Sequence, residues 1–429
     1  MRFDDYVRLA LDDFRPSLLP VPLVKGLDRT ELEKLRRNPV AAARDAAAAP
    51  GKFPVLVLGQ GLFYESPFSH FVLCEYLASH GYVVATSPLF GTRYRLVNIT
   101  IEDVETETRD MEFVAAEARN LPFADPGRFG VIGYDLGGMA GLILAMRNPE
   151  VAAFLSLDSG ILDKHHSGLP AAHPQYREDA FRIPWMHMTQ ARFVRSGPDR
   201  SEAPSLYERK AGGPSYLVHV PTTSHGQFSS YAALGLTAAV PAYWGAQDSD
   251  PKPAHEEICR LSLAFFDASL KRDDGPLRAR LGAAAGAGSP GPGFRIESKA
   301  GRACPPAESE LVDLIIEKGP AAAGPAIARA RAAFPDVPLI SEPVLEWLGL
   351  HFLYWWGRED DAVGVFELGV SLAPKSPRAY GSLGDAYEAR GRKNEAILSF
   401  KKALELDPND QGAKAALERL AGVKKDGGA

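Results

Sequence analysis

Short apolar runs alternate with stretches of helical periodicity between residues 53 and 270. The apolar runs have the length of strands buried in a sheet, and they cover residues 53–59, 82–87, 128–133, 151–158, 182–188 and 215–220. Apolar residues at helical spacing predict helices over residues 68–80, 101–120, 136–147 and 255–270. Repeated strand–helix units build parallel sheets with helices on both faces. The pattern therefore predicts an α/β fold with a mostly parallel, doubly wound sheet.

The composition changes abruptly at residues 281–306, where Gly, Ala and Pro dominate and hydrophobic periodicity is absent. This segment is predicted to be a linker. Every periodic stretch after it is helical, so an all-α domain is expected to follow the α/β domain. The predicted organisation has four parts: an N-terminal extension over 1–50, the α/β domain over 51–280, the linker over 281–306 and the helical domain over 307–422.

An internal repeat of 34 residues occupies the helical part. Four residue types recur at this spacing, namely Gly357, Ala362, Phe366 and Pro374, followed by Gly391, Ala396, Phe400 and Pro408. The copy at 377–410 resembles the tetratricopeptide (TPR) repeat, whereas the first helix of the copy at 343–376 lies one residue out of register. A degenerate helix pair at 308–334 and a capping helix at 413–420 complete the prediction. The resemblance implies a protein or peptide partner in the groove of the TPR module.

Composition narrows the classes of function. The 48 Lys and Arg residues against 54 Asp and Glu give a net charge of −6, which argues against nucleic acid or an anionic membrane as the main partner. Cys74, Cys259 and Cys304 are too few and too far apart for a disulfide framework or a cysteine zinc site. The chain lacks an apolar run near the roughly 18 residues of a membrane span. Its acidic start lacks the apolar region of a secretory signal, so a cytoplasmic protein is expected unless a signal was removed before residue 1.

The turn at residues 133–138, GYDLGG, stands between a strand and a helix. Glycines on both sides let the chain turn sharply and hold one residue, Asp135, at a strained apex. Such a turn can also bind phosphate, but a carboxylate at the apex would repel it. Asp158 and His225 follow at the ends of later strands. Alone, each would more often cap a turn or pack in a core. Their order after the apex favours a site.

These residues resemble the nucleophile elbow and triad of the α/β-hydrolases, with Asp where the serine hydrolases carry Ser. The acid one strand after the apex, the Phe-Ser pair after the His, and the segment 75–85 are similar to the branch of dienelactone hydrolases and platelet-activating-factor acetylhydrolases. The resemblance covers roughly residues 50–275. It implies a catalytic triad and an oxyanion hole made of backbone N–H groups: Asp135, His225 and Asp158 for the triad, and Leu136, Gly61 and Leu62 for the hole.

An aspartate at the apex changes the chemistry that the site can perform. Attack of Asp135 on an ester would form an adduct that collapses backwards, because a carboxylate (pKa about 3.9) leaves more readily than an alkoxide, whose parent acid lies near about 15.7. A carboxylate reacts better at a saturated carbon, as in the haloalkane dehalogenases and epoxide hydrolases of this fold. There His225, close to two carboxylates, becomes a base once Asp135 is esterified. Leu136, however, replaces the aromatic residue that commonly follows the nucleophile in that group.

Two hypotheses follow. The chain is a hydrolase for a small organic substrate with Asp135 as nucleophile or base, or it is a catalytically silent hydrolase-like scaffold that binds proteins through its TPR module. The retained acid and imidazole favour the enzyme, and the loss of Ser favours the scaffold for ester substrates. Without a dinucleotide fingerprint or metal-ligand spacing, no cofactor and no metal are predicted. Other residues considered are the loop histidines His165, His166 and His173, the packing residues Trp185 and Trp244, and the candidate lid tyrosines Tyr176 and Tyr207.

Overall fold

The computed structural model describes most of the chain, in two compact units, Met1–Ala303 and Cys304–Ala429. The described residues are 1–6, 8, 29–62, 67–88, 90–93, 97–125, 127–162, 168–190, 204–220, 223–230, 232–233, 250–285, 294–335 and 337–422. Among the helices described, none is both long and apolar enough to cross a lipid bilayer.

The first unit is built on a sheet that has seven strands among the described residues. In chain order they are β1 Val55–Gly59, β2 Val83–Thr86, β3 Phe129–Tyr134, β4 Val151–Leu157, β5 Trp185–Thr189, β6 Ser215–His219 and β7 Arg295–Lys299. The order across the sheet is β2-β1-β3-β4-β5-β6-β7, with parallel pairing throughout except between β6 and β7. This arrangement confirms the predicted α/β fold with a mostly parallel sheet.

Helices cover both faces of this sheet. The helices described in the first unit are α1 Arg29–Arg36, α2 Phe71–Ser79, α3 Ile101–Arg119, α4 Leu136–Arg147, α5 Gly168–Ala171, α6 Leu206–Arg209, α7 Lys252–Phe266 and α8 Gly275–Ala285. Alternate residues of β1 point to opposite cores. Val55 and Val57 pack with residues of α3 and α4, while Leu56 and Leu58 pack with residues of α2 and α7. Burial on both faces explains why the strands read as unbroken apolar runs.

The described part of residues 1–50 packs on α2. The Tyr6 hydroxyl and the Ala41 N–H both donate hydrogen bonds to the Glu75 carboxylate, at 2.7 and 2.8 Å. The predicted N-terminal extension therefore belongs to the first compact unit.

The structure differs from the prediction at residues 281–306. Helix α8 runs to Ala285, and residues Arg295–Lys299 form β7, which pairs antiparallel with β6. This part of the segment is a sheet strand and not a linker, and the first unit ends at Ala303. The strand was missed because it pairs with a neighbour on one side only. Its sequence, RIESK, has a single apolar residue, and three of its five residues are exposed.

The second unit consists of helical hairpins. In chain order its helices are α9 Glu308–Lys318, α10 Pro320–Ala333, α11 Glu342–Tyr354, α12 Glu359–Leu372, α13 Pro377–Ala389, α14 Lys393–Leu406 and α15 Gln411–Leu420. The connection between α11 and α12 has four residues, whereas that between α13 and α14 has three. One extra residue in this connection explains why the first helix of the earlier copy is out of register.

Both repeats bring their two helices together at a glycine. A Cβ atom on Gly349 would lie 2.4 Å from the ring of Phe366, and one on Gly384 would lie 2.6 Å from the ring of Phe400. Real Cβ atoms do not approach other atoms so closely, so a side chain at either position would push the helices apart. The two phenylalanines are 34 residues apart and the two glycines 35, so the contact is equivalent in both copies despite the one-residue offset of the first helix.

Candidate active site

Asp135 occupies the turn between β3 and α4 in a backbone conformation that L-residues rarely adopt, with φ 50° and ψ −114°. Glycines make this turn possible. A Cβ on Gly133 would lie 2.3 Å from the carbonyl oxygen of Gly137, and one on Gly137 would lie 2.3 Å from the carbonyl carbon of Gly59. The first turn of α4 therefore packs directly on the end of β1, and the side chain of Asp135 is presented at the apex.

The segment that follows β1 contacts this apex. The Leu62 N–H donates a hydrogen bond of 2.9 Å to Oδ2 of Asp135, and the Gly137 N–H donates one of 2.8 Å to the carbonyl of Gln60. Gly61 provides the close approach, because a Cβ there would lie 2.7 Å from the Tyr134 ring. Leu136 begins α4, so its N–H is among the first four of the helix, which lack an intrahelical acceptor.

Asp158 stands immediately after β4 and is buried among hydrogen-bond donors. Its carboxylate accepts bonds from the Thr189 hydroxyl at 2.9 Å, the Gln190 N–H at 3.0 Å, the Gln190 side-chain amide at 2.8 Å and the His225 ring at 2.8 Å. Burial alone would raise the pKa of Asp158, but these bonds and the charge of the imidazole hold that pKa below its usual value. Asp158 is therefore an ionised, immobilised acceptor.

His225 lies in a short 3₁₀ turn, His225–Phe228, with its ring between the two aspartates. Nδ1 donates to Oδ2 of Asp158 at 2.8 Å, and Nε2 lies 3.8 Å from Oδ2 of Asp135. Burial would lower the pKa of His225, but hydrogen bonding and charge from Asp135 and Asp158 raise it to about 10. The two neighbouring aspartates therefore favour the imidazolium form of His225 at neutral pH.

Tyr134 is a site residue that the sequence analysis missed. Its ring stacks on that of His225, with centroids 4.8 Å apart and planes inclined by 22°, and its hydroxyl donates a 3.1 Å bond to the His225 carbonyl. The buried ring of His70 also lies next to Tyr134, with ring centroids 4.7 Å apart, and burial lowers the pKa of His70 to about 3. The signal in the sequence was an aromatic residue next to the apex. Thr189 and Gln190 carried no comparable signal.

Other candidates lie away from the apex. The Tyr176 hydroxyl donates to Glu178 at 2.7 Å, and the Tyr207 ring packs 6.5 Å from that of Trp185. Neither tyrosine contacts Asp135 in the described part of the chain. Trp185 is fully buried, as predicted for a packing residue.

Of the three loop histidines, His173 is the one among the described residues. The Nε2 atom of His173 lies 3.2 Å from the Glu105 carboxylate. Within the described ranges, no group of three or more His, Cys, Asp or Glu residues could hold a metal ion. His165, His166 and Trp244 lie outside the described residues.

Comparison with known proteins bears mainly on the second unit. The tetratricopeptide repeat family matches residues 377–410, which confirms the predicted repeat there. No curated protein matches the chain. Among solved structures, a ferulic acid esterase from Streptomyces cinnamoneus is similar to it, with 22% identity and a TM-score of 0.44 over 61% of this chain and 79% of that chain. That likeness is too weak to assign an activity.

Proposed function

We propose that this protein is a hydrolase for small organic substrates in which Asp135 is the nucleophile, His225 the base and Asp158 the residue that orients His225. The observation that carries the proposal is the position of the Asp135 carboxylate. It stands at the strained apex, with Oδ2 held by the Leu62 N–H and 3.8 Å from His225 Nε2, while Nδ1 is bonded to Asp158. A nucleophile, a base and an orienting acid are thus within reach of one another.

A carboxylate nucleophile favours attack at saturated carbon. In the described part of the chain Oδ2 of Asp135 accepts the Leu62 N–H and Oδ1 accepts no hydrogen bond, which leaves Oδ1 for the attack. A bond forms between Oδ1 and the substrate carbon, and the bond from that carbon to the leaving atom breaks with its electron pair. A halide departs as the anion. An epoxide oxygen instead needs a proton, for which the imidazolium of His225 is the available acid in the described site.

The second step returns the enzyme to its starting state. Once Asp135 is an ester it carries no charge, so the imidazolium of His225 gives up its proton more readily. The proton goes to the epoxide oxygen when an epoxide is opened, and to solvent after a halide has left. Neutral His225 can then take a proton from water, and the hydroxide adds to the ester carbon of Asp135. The negative charge of that adduct develops on Oδ2, the oxygen already bonded to the Leu62 N–H, and the Leu136 N–H at the start of α4 is the second donor in this scheme. The alcohol leaves with the proton from His225, and the carboxyl proton of Asp135 then passes to the ring, which restores the carboxylate and the imidazolium.

A second candidate function is supported by the helical unit. TPR repeats bind protein segments, and residues 377–410 match that family. On this reading the α/β unit is a silent scaffold and the second unit binds a protein or peptide. The two functions are compatible, but only the first requires turnover.

The decisive experiment asks whether Asp135 becomes esterified. The wild-type protein is incubated with 1-bromobutane or 1,2-epoxybutane in water enriched in ¹⁸O. The mass of the proteolytic peptide that contains Asp135 is then measured by mass spectrometry. We expect ¹⁸O in the Asp135 carboxylate after several turnovers, because hydroxide adds to the ester carbon. In His225→Gln we expect one equivalent of bromide per enzyme and a trapped alkyl ester on Asp135, since hydrolysis then lacks its base.

The controls separate a nucleophile from a general base. Asp135→Asn should release no bromide, whereas an exposed matched variant, Asp179→Asn, should behave as wild type. Label that enters the product alcohol but never Asp135 would assign Asp135 the role of a base. Absence of turnover on halide, epoxide and ester would favour the scaffold, provided that Asp135→Ser also shows no activity on nitrophenyl acetate.

A further inference from the structure

A buried carboxyl group lies against the segment that contacts the proposed nucleophile. Glu107, on α3, is 2% exposed, and its Oε1 accepts a 3.1 Å hydrogen bond from the Gln60 N–H. Its Oε2 is buried and has no hydrogen-bond partner among the described residues. Burial raises the pKa of Glu107 to about 8, so the group is largely protonated at neutral pH. A neutral carboxyl group can accept the N–H without placing an uncompensated charge in the core.

Gln60 is the point at which the segment after β1 is held. Its carbonyl accepts the Gly137 N–H at 2.8 Å, its side-chain amide donates to the Thr86 hydroxyl at 2.5 Å, and its N–H donates to Glu107. These contacts come from α4, β2 and α3 respectively. Two residues further on, the Leu62 N–H reaches Asp135. The contacts of Gln60 therefore determine where the Leu62 N–H lies.

The strand end is also shaped to admit Glu107. A Cβ on Gly59 would lie 3.1 Å from Oε1 of Glu107 and 2.6 Å from the sulfur of Met111, one turn further along α3. A side chain at Gly59 would thus push α3 away from the segment. The absence of a side chain there lets the carboxyl group approach the backbone.

We propose that Glu107 is a positioning residue that acts through Gln60: by accepting the Gln60 N–H, its carboxyl group holds the segment 59–62 so that the Leu62 N–H meets Oδ2 of Asp135. The effect on the segment is independent of the reaction. The effect on turnover rests on the proposed function, because it follows only if Oδ2 carries the charge of the adduct. An apolar side chain at this place would leave the buried Gln60 N–H without an acceptor, which is unfavourable.

The test compares Glu107→Gln with Glu107→Leu in the full-length chain. Glutamine keeps an oxygen that can accept the Gln60 N–H, whereas leucine fills similar space without an acceptor. Glu117→Leu, at an exposed position of the same helix, is the matched control. Residue-resolved amide hydrogen exchange should show Gln60 and Leu62 exchanging about tenfold or more faster in Glu107→Leu, and near the wild-type rate in Glu107→Gln and Glu117→Leu. Amides of β3 and β4 report whether the core itself has loosened.

Turnover gives the second readout. With a substrate found in the ¹⁸O experiment, we expect kcat to fall about tenfold or more in Glu107→Leu with KM within about twofold, and to be restored in Glu107→Gln. Unchanged exchange at Gln60 and Leu62 in a folded Glu107→Leu protein would overturn the positioning role, whatever the activity. If Glu107→Leu fails to fold, Glu107→Met, a longer unbranched side chain without an acceptor, takes its place under the same criteria.

The two readouts separate this inference from the proposed function. Faster exchange at Leu62 together with no turnover in wild type would support the role of Glu107 and overturn the function. Suppose instead that turnover depends on Asp135, and that turnover and amide exchange at Leu62 are equal in wild type and Glu107→Leu. This result would support the proposed function and overturn the role of Glu107.

Discussion

The two compact units bury different kinds of side chain. Every Asp, Glu, Lys, Arg or His residue that is buried in the described part of the chain belongs to the first unit: His70, Asp103, Glu107, Asp158, His173, His187, Lys210, His219, His255 and Glu257. In the second unit the one buried polar residue among those described is Ser399. Burial of an ionisable group opposes folding unless the group finds partners. The contrast indicates that the first unit accepts this cost, whereas the second unit avoids it.

The second unit places its charges at the surface and fills its core with Leu, Ala and Phe. Its ion pairs, such as Arg390 with Glu359 and Lys402 with Glu405, join side chains that are substantially exposed. Such pairs add little stability, so this unit depends on apolar packing between helices. Its specificity for a partner would have to reside in surface residues.

The largest expected effect is on turnover. Asp158→Asn keeps the size of the side chain but removes the charge that orients and stabilises the His225 imidazolium. We expect kcat to fall by roughly 10³–10⁴ and the pKa of His225 to fall below about 10, measured by enzyme kinetics and by NMR titration of the ring. The exposed substitution Asp179→Asn serves as control. An unchanged kcat would remove Asp158 from the site.

The next effect is on stability and is confined to the second unit. Phe400 is 2% exposed and lies against Gly384, so Phe400→Ala should cost about 3–5 kcal/mol of unfolding free energy in that unit. Leu398→Ala on the same helix, where Leu398 is 67% exposed, should change it by less than about 0.5 kcal/mol. Denaturant unfolding followed by hydrogen exchange in each unit measures both. Equal loss of protection in β3 and β4 would show that the units unfold together.

A third effect concerns acid and the first unit. Burial lowers the pKa of His255 to about 4, whereas in the unfolded chain it is about 6.5. The folded state therefore resists protonation of His255. The contribution of neutral His255 to the free energy of unfolding is fully present above about pH 6.5 and is lost as the pH falls from there to about 4. Between pH 6.5 and 4.5 the free energy of unfolding of His255→Met should fall by about 2 kcal/mol less than that of wild type. Urea unfolding at each pH measures both values. His80→Met, at an exposed position, should follow the wild-type curve.

The smallest expected effect is that of separating the units. A chain ending at residue 303 keeps all seven described strands, so its first unit should melt within a few degrees of the full-length protein in calorimetry. A chain ending at residue 290 lacks β7 and leaves one edge of β6 unpaired, and we expect it to melt earlier or to associate. A large loss of stability in the longer fragment would mean that the first unit needs the second.

The sequence predicted the parts of the fold that depend on local pattern. Six strands were apparent because both faces of the sheet are covered, and α4 was predicted with its observed bounds, Leu136–Arg147, because Asn148-Pro149 ends it. Strand β7 was not predictable from its own residues. Its pairing with β6 is long-range, and its exposed polar side chains give a sequence pattern that is typical of a loop.

The same division holds at the candidate site. Asp135 could be placed at an apex from its flanking glycines, and Asp158 and His225 from their positions after strands, because chain geometry alone brings the ends of parallel strands to one edge. Tyr134 and Glu107 could not be assigned, because their contacts arise only when separate elements pack together. A Tyr in a buried strand and a Glu in an amphipathic helix are ordinary in sequence.

Two aspartates in this site adopt positive φ angles, 50° at Asp135 and 40° at Asp158. Such a conformation costs an L-residue about 1–2 kcal/mol, a cost that glycine avoids. Engineering for thermostability by a folding score alone would therefore select glycine at both positions, and each gain in melting temperature would delete a member of the proposed triad. Any stabilised version of this protein should be designed with residues 135 and 158 held fixed.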